Sequence, residues 1–139
     1  MKMLSASALA LALAAAPALA ETHMNMDRAN MIRSRDITGG EIYSMAETGN
    51  WTADTMYDSV GTDWTDIGEI EDVVLDRSGQ MIGVVAEVGG FLDIADKHVF
   101  LEVNNVRLVP VDDATYAIVT DMSEEQLEQL PEMDEGFWD

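Results

Sequence analysis

The chain has 139 residues, which suits one domain, and it carries 27 acidic against 7 basic residues, for a net charge of −20. Such a surface repels nucleic acid and anionic lipid, so neither is expected as a partner. There is no cysteine, which excludes disulfides, thiolate catalysis, thiolate metal sites and a lipid anchor on an N-terminal cysteine.

The first 20 residues have the parts of a secretory signal peptide. Lys2 supplies the charge, Leu4 to Ala16 is apolar, and residues 18–20 form a small-residue cleavage site. Because the apolar run is shorter than the roughly 18–20 residues that a spanning helix needs, we predict cleavage and no stable membrane insertion. The sequence thus predicts a periplasmic protein whose mature chain starts at Glu21, with residues 21–36 as a flexible arm or a short helical lead.

Alternation of apolar and polar residues predicts strands over most of the remaining chain. We expect strands at 37–43, 67–75, 80–88, 98–108 (with a turn or bulge at Asn104 and Asn105) and 115–120. A turn at residues 76–79 makes the second and third of these a hairpin. In the 80–88 strand one face should carry Ile82, Val84, Ala86 and Val88.

A short helix is predicted after the last strand. Ser123 suits the N-cap, Gln126 completes a capping box, and Met122 with Leu127 can form a hydrophobic staple. Pro131 limits the helix, and residues 134–139 form a tail. Together the elements predict an all-β fold, a small barrel of about six strands with one short C-terminal helix.

The stretch IGEIEDVVLDRSGQMIGVVAEVGGFLDIADKHVFLEV, residues 67–103, resembles the PRC-barrel domain. The matching features are an I-G-x-I-x-D strand at residues 67–72, a D-x-x-G turn, an apolar strand ending in G-G-F-L and a following V-x-L strand. The resemblance covers roughly residues 37–133 and implies a six-stranded barrel that serves docking or assembly. It offers no catalytic residues. Where family members often carry glycine, this chain has Asp93 and Ala95.

The connection after the 80–88 strand has two interpretations. Phe91 and Leu92 either plug the barrel end or present an apolar anchor to a protein partner. Asp93, Asp96 and Lys97 are either solvated or part of that same docking surface.

Residues 47–66 are rich in Gly, Thr, Asp and Asn and predict a loop insertion. Trp51 and Trp64 either cover the barrel or offer an aromatic patch to a partner. The acidic residues of this segment and of the strand that follows it either form a solvated face or bind Ca²⁺. Their spacing is not that of an EF-hand loop. These residues are Asp54, Asp58, Asp63, Asp66, Glu69, Glu71 and Asp72.

The predicted mature N-terminus offers a second metal hypothesis. The free amine of Glu21, the backbone amides of Thr22 and His23, and the His23 imidazole could bind Cu²⁺ or Ni²⁺ in a square plane. Nearby thioethers could add ligands for Cu⁺; they belong to Met24, Met26 and Met31. The alternative is an ordinary flexible arm, and no other cofactor is expected.

Catalysis has little support, because His23 and His98 are the only histidines and no G-x-S-x-G, H-E-x-x-H or phosphate-binding glycine loop occurs. The sequence therefore predicts a non-enzymatic periplasmic assembly module that engages a protein partner or a second copy of itself. Metal binding is the alternative function.

Overall fold

A computed structural model describes residues 30–52, 54–89 and 97–133. Within them one sheet carries six strands: β1 Glu41–Ser44, β2 Thr65–Leu75, β3 Met81–Val88, β4 Lys97–Glu102, β5 Val106–Pro110 and β6 Tyr116–Thr120. Two short helices accompany the sheet, namely α1 Ser34–Ile37 and α2 Glu124–Glu128. The predicted all-β fold with about six strands and a short C-terminal helix is confirmed.

The strands lie in the order β4-β3-β2-β1-β6-β5. Neighbours are antiparallel except β1 and β6, which run parallel with Ile42 beside Ile118. β4 and β5 are the two edges, joined along the chain by a 3₁₀ turn at Val103–Asn105. The sheet is therefore not closed by strand pairing in the described chain, unlike the continuous barrel that the sequence predicts.

The outer edge of β4 is covered by the chain that follows α2. Val99 forms an isolated bridge with Glu132, and the Met133 amide donates to the His98 carbonyl oxygen at 2.8 Å. These contacts satisfy backbone groups that an exposed edge strand would leave unpaired. His98 is consequently held from both sides, by β3 and by residues 132–133.

The first predicted strand begins too early. Residues 34–37 form a helical turn, stabilised by the Arg33–Asp36 ion pair at 2.7 Å, and the chain reverses at Gly39 with φ +83°. β1 starts only at Glu41. Residues 34–36 of the predicted arm are thus helical, while residues 21–29 lie outside the described residues.

The main core lies between one face of the sheet and α2. Its largest fully buried members include Ile42, Ile70, Leu101, Ile118 and Leu127. On β3, Val84, Ala86 and Val88 are buried in the core, as the predicted face requires. Ile82, predicted on the same face, is 40% exposed, because the register of β2 and β3 shifts there and leaves Ile82 without a direct partner in β2. Val85, on the opposite face, is buried as well.

Local signals at the hairpin and at α2 behave as predicted. The Asp76 carboxylate accepts from the Ser78 hydroxyl and from the amides of Ser78 and Gln80, which lowers its pKa, and Gly79 takes φ +88°. Ser123 and Gln126 form the capping box reciprocally, and Leu127 is buried.

The 47–66 segment packs on a second apolar cluster, around buried Met45, Val109 and Val119. Trp64 meets Tyr57 edge-on at 5.1 Å between ring centroids, and the Arg107 guanidinium lies 5.4 Å from the Trp51 ring centroid. Both tryptophans are half-buried. This placement fits the interpretation in which they cover the sheet.

Candidate functional site

A row of ionisable side chains crosses four adjacent strands. The pairing register sets Glu41 of β1 opposite Glu69 of β2, Glu69 opposite Glu87 of β3, and Glu87 opposite His98 of β4. Directly opposed residues share a face of the sheet, so the four side chains form one line on the face away from the main core. Like charges in direct opposition destabilise a sheet, which makes the row an unfavourable arrangement in the absence of a cation.

A β-bulge adds a further carboxylate to this row. The register passes from Ile70 opposite Ala86 to Asp72 opposite Val85, so Glu71 has no direct partner in β3. A carboxylate oxygen of Glu71, one of Glu87 and an imidazole nitrogen of His98 all lie within 4.8 Å of one another. We call Glu71, Glu87 and His98 the triad. Glu71 is exposed, and the other two are half-buried.

A shallow depression lies beside the row. Its described lining contains four carboxylates and no lysine or arginine, with the remainder made by glycine; the residues are Gly39, Glu41, Asp66, Gly68, Glu69, Glu87 and Gly89. A Cβ atom added at Gly68 would lie 2.2 Å from the Glu87 carbonyl oxygen, so only glycine lets β2 and β3 approach here. The depression is suited to a cationic group.

The negative field of the row acts on Tyr43. Its hydroxyl donates to Glu41 Oε2. This hydrogen bond, followed by burial and by the charges of Glu41 and Asp66, raises the pKa of Tyr43 to about 12.

Removing the acceptor should reverse that shift. In Glu41→Ala, we expect the pKa of Tyr43 to fall towards the ordinary value of about 10. Wild-type Tyr43 keeps its proton at a pH where the unfolded chain has lost it. Its contribution to stability is thus fully present below pH ~10 and lost as the pH rises to about 12. Phenolate absorbance during alkaline titration measures this, with Tyr43→Phe identifying the signal. An unchanged titration in Glu41→Ala, with Glu47→Ala as the matched control, would contradict the assignment.

Several sequence-predicted site residues lie outside the described residues. They are Phe91, Leu92, Asp93 and Asp96 of the connection, and Glu21, Thr22 and His23 of the N-terminal metal hypothesis. Lys97 is described and half-buried, and its Nζ donates to the Glu128 carbonyl oxygen at 2.5 Å. It therefore ties β4 to the last turn of α2, where a positive charge is favourable.

The acidic residues of the calcium hypothesis do not act as one group. Asp54, Asp58 and Asp63 are exposed in the loop, whereas Asp66 and Glu69 line the depression. Glu71 alone joins a convergent metal-ligating group in the described chain, and its companions come from other strands. The sequence pattern did not identify Glu41 and Glu87 as site residues and left His98 without a role, since only the strand register brings these residues together.

The part of the chain that matches a known family contains most of the residues of this site. A family model described as PRC-barrel domain matches residues 56–126, just over half of the sequence. The chain belongs to the PRC-barrel family. The match spans β2 to β6 and the start of α2, so it includes the whole triad, while Glu41 precedes it. No curated protein gives a significant match.

PRC-barrel domains are typically non-catalytic modules, and the family match supports the predicted small β-barrel module. The absence of enzymatic activity stays a prediction. Among the described residues no helix is both long and apolar enough to cross a membrane.

Proposed function

We propose that this PRC-barrel protein is a non-enzymatic periplasmic docking module that binds a basic segment of a protein partner. The observation that carries the proposal is the depression at the row, whose described lining holds four carboxylates and no cationic side chain. A lysine or arginine side chain placed there would meet several carboxylates at once.

Charge complementarity favours a basic partner over a second copy of the chain. With a net charge of −20, two copies of the chain repel each other. A dimer joined through the face that carries the row would also bring the carboxylates of the two copies together. A basic partner would instead be attracted over a distance and would relieve the repulsion between Glu41, Glu69 and Glu87. Self-association would require a different surface, such as the half-buried tryptophans of the 47–66 loop.

The connection between β3 and β4 belongs to the same proposal. The chain enters it at Gly89, which lines the depression and takes φ +95°. Phe91 and Leu92 follow within three residues in sequence. Our proposal assigns them the role of apolar anchors beside an acidic docking surface. The signal peptide that the sequence predicts at residues 1–20 supports the proposed periplasmic location.

The test compares two double variants that lose the same charge. Glu41→Gln/Glu69→Gln changes the row, whereas Glu47→Gln/Glu128→Gln changes two exposed residues elsewhere. We expect the complex isolated from the periplasm to be at least about tenfold weaker in the row variant, near wild type in the control, and weaker in high salt. Titration of the purified partner with native mass spectrometry measures this. A complex that is equally tight in both variants, or a chain that is always monomeric and alone, contradicts the proposal.

A further inference from the structure

We propose that the triad of Glu71, Glu87 and His98 binds a divalent transition-metal ion of the Zn²⁺ type. The site lies on the outer face of β2, β3 and β4 and is separate from the N-terminal residues at which the sequence suggests copper or nickel binding. It goes beyond the proposed docking function, which rests on the depression and not on any metal.

The donor atoms select the class of metal. The triad offers one imidazole nitrogen and carboxylate oxygens from two glutamates. Ca²⁺ and Mg²⁺ prefer sites made of oxygen alone, whereas imidazole together with carboxylate is typical of Zn²⁺ and its first-row neighbours. Three protein ligands also leave one position of a tetrahedral zinc site for water.

The distances are close to those of a bound site. With metal–ligand bonds of about 2.0–2.2 Å, the ligand atoms of a tetrahedral zinc ion lie about 3.4 Å from one another. The triad atoms already lie within 4.8 Å of one another. To bind zinc, the ligand atoms must therefore move by on the order of an ångström. Glu71 is exposed and has room for this movement.

The backbone under the triad holds its members at fixed positions. Glu87 and His98 are direct partners in the antiparallel pairing of β3 and β4. The His98 carbonyl oxygen accepts from the Met133 amide on the other side, so β4 is anchored at this residue. Glu71 comes from the bulge in β2, a device that commonly re-aims a side chain near a site. Ligands on paired strands hold a metal more precisely than ligands on loops.

Electrostatics also favours a cation at this point. Glu87 faces Glu69 across the β2–β3 pairing, and its carboxylate lies near that of Glu71. Three carboxylates in this space repel one another, and a divalent ion bound between two of them offsets that repulsion.

Zinc binding to the full-length chain, freed of metal by a chelator that is then removed, tests the site by isothermal titration calorimetry. We expect one saturable Zn²⁺ site in the wild-type chain. His98→Gln and Glu71→Gln should each weaken it by at least about tenfold, since even substitutions of residues that only hydrogen-bond to a metal ligand commonly cost about 10–100-fold in affinity. Glu71 is exposed, so Glu71→Gln should fold even where His98→Gln does not.

Two control variants separate this site from other sources of zinc binding. Glu102→Gln removes an exposed carboxylate of β4 that belongs neither to the triad nor to the depression, and His23→Ala removes the other histidine of the chain. Both should bind Zn²⁺ within about threefold of wild type, less than the loss expected from a ligand substitution. An excess of Ca²⁺ should not displace the zinc.

The outcomes are exclusive. The proposal is overturned if the wild-type chain shows no saturable Zn²⁺ binding or if Ca²⁺ displaces the zinc. It is also overturned if Glu71→Gln or His98→Gln keeps wild-type affinity, or if binding is lost in His23→Ala alone. Glu87 belongs to both sites, but the two ligands that are substituted here, Glu71 and His98, do not line the depression. A negative result here therefore leaves the docking proposal standing, and failure of the Glu41/Glu69 variant leaves this one standing.

Discussion

Ile118→Ala should lower the free energy of unfolding by about 2–5 kcal/mol. Ile118 is fully buried in β6, beside Ile42 of the parallel strand β1 and opposite Leu108 of β5. The substitution removes buried apolar surface and leaves a cavity that neighbouring strands cannot close without breaking their pairing. Because a domain of this size is stable by only about 5–15 kcal/mol, the variant should lose a large share of its stability. Urea denaturation followed by circular dichroism measures the change.

The matched control is Ile82→Ala. Ile82 lies in β3 but is 40% exposed, so the same substitution should cost clearly less than at Ile118. Equal losses at the two positions would mean that the sheet face assigned to the core is wrong.

Gly68→Ala should destabilise the fold by about 1–3 kcal/mol through overpacking. The added Cβ would meet a backbone atom, the Glu87 carbonyl oxygen, at 2.2 Å, and that oxygen cannot move without shifting β3. The change also lies under the row of carboxylates, so β2 and β3 should separate where Glu69 opposes Glu87. Thermal unfolding measures the loss of stability.

Gly61→Ala is the matched control, because the three atoms nearest to its added Cβ all belong to the indole ring of Trp64, the nearest at 2.5 Å. A side chain can turn away from such a contact, so we expect a smaller loss of stability than at Gly68 and a change in tryptophan fluorescence. A larger loss at Gly61 than at Gly68 would show that the loop over the second cluster, and not the β2–β3 approach, limits stability.

The row of Glu41, Glu69 and Glu87 explains why the two proposals concern the same face of the sheet. Opposed carboxylates reduce the stability of the strands that carry them, and such local conflicts are typical of functional positions. All three glutamates line the depression that we assign to a basic partner segment. His98, next to Glu87 at the end of the row, supplies the nitrogen donor of the triad.

The sequence by itself determined the features that depend on neighbouring residues. The hairpin follows from the side chain of Asp76 and the positive φ of Gly79, and α2 follows from the capping box of Ser123 and Gln126. The alternation of Val84, Ala86 and Val88 identified a core face of β3, and the residues between 67 and 103 carried the resemblance to the PRC-barrel family.

Only the tertiary structure decided which distant residues meet. Local alternation places Glu41 and Glu87 on the face of their strands opposite to buried Ile42 and Ala86, but it contains no information on the register that sets them in one row with His98. The bulge that frees Glu71 from a direct partner depends in the same way on the pairing of β2 with β3. Register is fixed by packing across the whole sheet, and for that physical reason the candidate site could not be derived from any one segment of the chain.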